Sequence, residues 1–173
     1  DDTRIYDEVV SFGGKAIMTG SYHKSGTDRI EEAYRKIGKE FDVVINVQGD
    51  EPFIHPSQIV SIMECFASDD TQIATLGKRF ESMESVENAN SPKIVTDNKG
   101  YAMYFSRSVI PYVRSKERNE WINAFPFLKH IGMYAYRSGV LKEITKIEQS
   151  PLEIAESLEQ LRWLQNGYKI KAG

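Results

Sequence analysis

The amino-acid sequence predicts an α/β protein with a mixed, mostly parallel sheet flanked by helices. Three observations carry that expectation. Segments with apolar residues at helical spacing alternate with short β-branched runs along the chain. One run, Asp42-Val43-Val44-Ile45-Asn46-Val47, is almost continuously apolar, the mark of a strand covered on both faces. The runs Lys93–Thr96 and Tyr101–Phe105 flank Asp97-Asn98-Lys99-Gly100, which signals an antiparallel hairpin.

Each element has its own signature. Asp2-Thr3 precedes Ile5, Tyr6, Val9 and Val10, a cap followed by helical spacing, and Gly13-Gly14 closes it. Ala16-Ile17-Met18 reads as a short strand and Ser21–Thr27 as a loop. Thr27 or Asp28 can cap a helix carrying Ile30, Ala33, Tyr34 and Ile37, ended by Gly38. After the Asp42–Val47 strand, Gln48-Gly49-Asp50-Glu51-Pro52 forms a turn. Pro56-Ser57 opens a helix with Ile59, Ile62, Met63 and Phe66 on one face. Ile73–Leu76 is a strand, and the region from about 78 to 128 reads as a lid or dimerisation flap, with a mobile loop from Arg114 to Pro126. His130–Tyr136 alternates as a strand does. Ser138–Ile147 and Leu152–Gln165 are helical, and Tyr168-Lys169-Ile170 begins a last strand.

Composition excludes several classes of function. The 173 residues suit one domain, 1–173, and a chain of this size buries roughly 70% of its surface. Hydrophobic residues at 40% and charged residues at 27% argue against disorder. A net charge of −3 provides no basic field for nucleic acid or an anionic membrane. No apolar run approaches the roughly 20 residues that span a bilayer. The one cysteine, Cys65, has no internal partner, which points to a reducing compartment. Position 1 is Asp and no signal peptide is visible, so residues are expected to have been removed or to be missing before it. Zinc spacing, a Cys/His nucleophile pair and an internal repeat are all lacking in the sequence.

Chemistry in an open α/β sheet gathers beyond the carboxyl ends of strands. There the sequence places Gln48-Gly49-Asp50. Asp50 either holds a hard divalent cation such as Mg²⁺ or caps a solvated turn. Ser25-Gly26-Thr27-Asp28-Arg29 opens a helix and either receives an anion or heterocycle or only caps the helix. His130, Gly132, Tyr134 and Tyr136 share a strand face, as the lining of a polar pocket or as a polar-tipped core layer. Arg107 ends a strand, where it can meet a carboxylate or remain a surface charge. Glu153, Glu156, Glu159 and Gln160 follow a Ser150-Pro151 helix start, and most acids on such a helix are solvated.

Taken in order, these blocks resemble the 3-deoxy-manno-octulosonate (Kdo) cytidylyltransferase family over essentially all 173 residues. The carriers are Ser25–Arg29, Val47–Pro52, Tyr104–Arg107 with Ile110-Pro111, His130–Tyr136, and Ser150–Glu153 with Leu158–Arg162. The resemblance implies a glycosyltransferase-A-like nucleotidyltransferase fold and a cytoplasmic homodimer. It implies a Mg²⁺-dependent enzyme that joins CTP and Kdo into CMP-Kdo and pyrophosphate for lipopolysaccharide synthesis. Asp50 would be the metal ligand and, with Arg107 and His130, catalytic. Ser25, Gly26, Thr27, Arg29 and Gln48 would face the nucleotide. Gln48, Arg107, His130, Tyr134, Glu159 and Gln160 would line the sugar-acid pocket. Family segments carrying an Arg and a Lys for the triphosphate, and a second metal-binding acid, have no counterpart in 1–173, so the chain is expected to be part of a larger domain. The alternatives are a cytidylyltransferase for another sugar acid, neuraminic or 8-amino-Kdo-like, and a non-catalytic nucleotide- or sugar-binding domain.

Overall fold

A computed structural model describes residues 1–49 and 53–173. Its order is α1 (Thr3–Ser11), α2 (Gly26–Ile37), β1 (Val43–Asn46), α3 (Pro56–Glu64), β2 (Ile73–Arg79), α4 (Met83–Glu87), β3 (Lys93–Thr96), β4 (Ala102–Ser106), α5 (Trp121–Ala124), β5 (Leu128–Arg137), α6 (Ser138–Ile144), α7 (Pro151–Glu156), α8 (Gln160–Gln165) and β6 (Ile170–Ala172). Six strands form one sheet in the order β4-β3-β5-β2-β6, with β1 also on β5.

The sheet is mixed, but its ladders are not mostly parallel. Among the described residues only β2–β6 pairs in parallel, while β1–β5, β2–β5, β3–β4 and β3–β5 are antiparallel. The reason is β5, which lies centrally and runs against every strand it touches. β2 flanks it along its whole length. On its other side β3 pairs at Leu128 and Lys129, and β1 pairs from Tyr134 to Arg137.

Between Thr75 and Leu76 the register jumps, and Gly132-Met133 bulges out of β5. The bulge keeps His130, Tyr134 and Tyr136 on one face, opposite Gly77, Thr75 and Ile73. That face packs on α2, α6 and α8 through Tyr34, Leu141, Ile144, Leu161 and Trp163. The other face carries Met133 and Ala135 onto Ile62 and Cys65 of the α3 segment. Val44 of β1 joins the first core and Val43 and Ile45 the second, as its apolar run requires.

Two further expectations, a strand at Ala16–Met18 and one helix over Leu152–Gln165, are corrected. Ala16–Met18 is not a strand. It is a loop tied to α2, where Lys36 Nζ donates to Met18 O at 2.8 Å. The 78–128 region is joined to the main sheet where β3 pairs with β5, and it carries a third core of Phe80, Val86, Trp121 and Phe127. Within Arg114–Pro126 the short helix α5 forms, and Trp121 is buried in the same core with its Nε1 donating to Lys116 O at 3.0 Å. The expected helix Leu152–Gln165 is two helices, α7 and α8, broken at Ser157, which takes left-handed backbone angles (φ 51°, ψ 49°). The expected hairpin forms as read: Asp97 Oδ1 accepts from the amides of Lys99 and Tyr101, both at 2.8 Å, and Gly100 supplies the positive φ.

Candidate active site

The site is built where the N-terminus of α2 meets the start of α8 over the Tyr134–Tyr136 face of β5. Ser25, rather than Thr27 or Asp28, caps α2, and its Oγ accepts the Asp28 amide at 3.2 Å. That leaves the Thr27 hydroxyl free to donate to Glu159 Oε2 at 2.8 Å. Gly26 beside it faces open space. Two blocks 132 positions apart are thereby joined. A groove of about 890 Å³ opens along the seam, lined in part by Ser25, Asp28, Glu153, Glu159 and Arg162.

Glu159 is oriented from below. Arg162 grips Glu153 with a two-pronged fork, Nε to Oε2 at 2.8 Å and Nη2 to Oε1 at 2.7 Å, and both side chains are buried. Glu153 also closes the capping box of α7 on Ser150. Arg162 Nη2 reaches Glu159 Oε1 at 3.4 Å. Burial pushes the Glu159 carboxyl above its ordinary value, and the hydrogen bond from Thr27 only partly offsets this.

On the β5 face, His130 sits between the rings of Phe105 and Tyr134, at centroid distances of 5.1 and 5.3 Å. Its Nε2 lies 3.1 Å from Thr75 Oγ1. Burial pushes its pKa down to about 4, so the imidazole is neutral at pH 7. Burial raises Tyr134 and Tyr136, which remain phenols. Thr27 and Asn46 lie beside the Tyr136 hydroxyl, yet it makes no hydrogen bond. Among the described residues the Tyr134 hydroxyl, with Thr75 beside it, Gln160 Nε2 and Trp163 Nε1 are also buried without partners. The Trp163 ring stands edge-on to Tyr134 at 5.2 Å and to Tyr136 at 5.7 Å. Four unpaired groups, each able to donate, thus gather in one region, where each costs about 1–3 kcal/mol unless an acceptor arrives.

The remaining expected residues lie apart from this cluster. Asp50 falls outside the described residues. Gln48 lines a separate cavity of about 180 Å³ with Lys129 and Met133, where the bulge opens the α3 side of the sheet. Arg29 faces away, bonding Thr19 Oγ1 at 2.9 Å and Asp1 Oδ2 at 2.9 Å. Arg107 meets no carboxylate with its guanidinium. It donates to the carbonyls of Glu156 (2.7 Å), Ala89 (3.0 Å) and Ser157 (3.2 Å). Sequence reasoning missed Trp163 and Asn46 as site residues, and placed Tyr136 on the polar-pocket face without naming it among the sugar-acid residues.

Comparison with known proteins identifies the family. Residues 1–170 match the cytidylyltransferase family. The 3-deoxy-manno-octulosonate cytidylyltransferase of Parabacteroides distasonis is 60% identical, over all of this chain and 70% of its own length. The chain belongs to that family. The namesake enzyme of Bacteroides thetaiotaomicron is 57% identical over the same shares. A solved CMP:2-keto-3-deoxy-manno-octonic acid synthetase, complexed with CTP, superposes with a TM-score of 0.90 at 40% identity, covering all of this chain and 68% of that one. The sheet with its central antiparallel β5 is therefore a nucleotidyltransferase fold, and the chain is a cytidylyltransferase. Among the described residues no helix is long and apolar enough to cross a membrane.

Proposed function

We propose that this protein transfers CMP from CTP to Kdo, releasing pyrophosphate, and that the unpaired cluster around Tyr134 and Tyr136 receives the sugar acid. The observation that carries this is the set of four buried groups without hydrogen-bond partners among the described residues, two of which, Tyr134 and Tyr136, lie within electrostatic reach of Glu159. A polyhydroxylated acid offers many oxygens, and those oxygens would satisfy groups that an apolar ligand would leave stranded.

In the reaction the anomeric hydroxyl of the sugar acid attacks the α-phosphorus, the new O–P bond forms, and the bond to pyrophosphate breaks. The protein's part is placement and charge. Tyr134, Tyr136 and Gln160 donate to sugar oxygens. Neutral His130 offers one donor and one acceptor nitrogen, which suits a hydroxyl. Glu159, with its raised pKa, accepts from a second hydroxyl while Thr27 holds it in place. Ser25 borders the groove along which the nucleotide would enter, and Gly26 next to it faces open space.

The family also implies Mg²⁺. The donor chemistry fits: Mg²⁺ needs only one or two protein carboxylates, Asp50 supplies one, and no group of three acids, His or Cys competes for it among the described residues. When bound, the ion would supply charge neutralisation for the phosphates. A cytoplasmic homodimer supplying lipopolysaccharide assembly completes the reading.

The test is pyrophosphate release by the full-length protein from CTP with Kdo, a neuraminic acid or an 8-amino-Kdo-like acid. Kdo should be preferred, with turnover lost when Mg²⁺ is chelated. Asp50→Asn should lower kcat/KM about a hundredfold or more. Unchanged turnover in Asp50→Asn would remove the metal role, and preference for another acid would replace the substrate.

A further inference from the structure

Lys93 is one of the few lysines a folded protein buries completely: its side chain is 0% exposed. Its ammonium faces three carbonyls, those of Arg107 (2.5 Å), Asn88 (3.1 Å) and Ser91 (3.1 Å). Arg107 in turn spends its guanidinium on the carbonyls of Ala89, Glu156 and Ser157. The Glu156 carboxylate closes the ring, accepting from the Ser106 hydroxyl at 2.6 Å and the Arg107 amide at 2.8 Å. One acid and two cations thus tie three pieces of chain together: the turn before β3, the end of β4, and the end of α7.

The tie lands on a strained residue. Ser157 is the one non-glycine residue with positive φ among the described residues, and it is the joint between α7 and α8. Left-handed backbone at a serine costs free energy and persists only where its surroundings over-determine it. Arg107 supplies that constraint by bonding the carbonyls on and before the joint. Two residues further on come Glu159 and Gln160, whose side chains the function proposed above assigns to the sugar acid.

We propose that Arg107, itself set by the buried Lys93 and by Glu156, is a positioning residue: it holds the α7–α8 joint at Ser157 and so aims Glu159 and Gln160 at the sugar acid. This assignment rests on the proposed sugar-acid site. The arrangement has a specific consequence. Loosening the tie should disturb the sugar-acid side of the reaction more than the nucleotide side, because Arg107 bonds no residue of α2 and reaches that helix only through Glu159 and its Thr27 bond.

The experiment measures KM for CTP and for Kdo separately, with kcat and thermal midpoint, in the full-length protein. Arg107→Lys keeps the charge but can reach only one of the three carbonyls. It should fold, raise KM for Kdo about tenfold and leave KM for CTP within about twofold. Lys93→Met should do the same more strongly. Should Lys93→Met fail to fold, Arg107→Lys carries the test. Ser157→Gly, which relaxes the joint without strain, should raise the melting point or leave it unchanged and raise KM for Kdo by a few fold. Unchanged KM for Kdo in folded Arg107→Lys overturns the positioning role. So does an equal rise for both substrates alongside a lower melting point, which marks a merely structural tie. If the unaltered protein releases no pyrophosphate with Kdo, the underlying functional reading falls and this inference with it. If it does, and only the variants disagree, the inference falls alone.

Discussion

On one face of β5, Met133 and Ala135 meet Ile62 and Cys65. On the other, His130, Tyr134 and Tyr136 meet Trp163 and Phe105. Both faces are buried, but by different chemistry. The first has no polar tips beyond the Cys65 thiol, so burying it is favourable throughout, at roughly 25 cal/mol per Å². The second buries hydroxyls, an amide and an indole N–H without partners. A fold retains such a face only where the loss is recovered elsewhere, and binding is where polar groups held ready recover it. The apolar face supports the fold, and on the function proposed above the aromatic face is kept for a ligand.

The difference can be broken or sharpened experimentally. The largest effect should come from the apolar face. Ile62→Ala opens a cavity in a fully buried site and should cost about 2–5 kcal/mol in denaturant unfolding. Its kcat/KM per folded molecule should stay within about twofold; a selective loss of Kdo turnover would blur the division between the faces.

Next is the acid response of the aromatic face. The folded-state pKa of His130 is about 4, below the unfolded value near 6.5. Between those values the unfolded chain binds a proton that the native protein does not. Stability is therefore full above pH 6.5, falls as pH drops towards 4, and levels off below it. The loss is about 3 kcal/mol, from ~1.4 kcal/mol per pH unit. His130→Gln should flatten that slope, and an unchanged slope would place the proton uptake elsewhere. Glu32 acts in a lower window. Lys36, the Gly20 amide and His23 hold its carboxyl down to about 2 from 4.5, so its stabilisation is present above 4.5 and lost as pH falls towards 2.

The smallest effect should be Tyr136→Phe. Removing an unpaired buried hydroxyl should leave stability unchanged or raise it by about 1 kcal/mol, while KM for Kdo rises several fold. A clear destabilisation would show that the hydroxyl is partnered within the protein, and the contrast between the faces would vanish.

Local signals made much of this legible in advance. The α2 helix, the β3–β4 hairpin, the β5 alternation and the Ser150-Pro151 helix start were all readable because caps, turns and periodicity act over a few residues. The relation of β5 to its neighbours was not. Its antiparallel insertion depends on pairings with residues far away, and no local pattern encodes strand direction. The break at Ser157 was hidden for a related reason. Neither Gly nor Pro marks it, and the constraint comes from Arg107, 50 positions earlier. Arg107 shows the same limit from the other side. The residue type suggested a carboxylate partner, but the carbonyls it holds are visible only once the chain is folded. Thr27 was expected as a cap, but the serine two residues earlier took that role and freed its hydroxyl for Glu159.

The place of β5 also bears on how the chain reaches this structure. It is the next-to-last strand in sequence, yet β1, β2 and β3 all pair with it, and Val43 meets Arg137 some 94 positions later. During synthesis β1 and β2 have no partner strand among the described residues until Leu128–Arg137 has emerged, whereas β3 can already pair with β4. The unpaired edges of β1 and β2 stay open in the meantime, and loop-closure entropy must be met before the ladder forms. The strand that carries the ligand face therefore also sets the clock of folding, and a slow step in refolding should coincide with its docking.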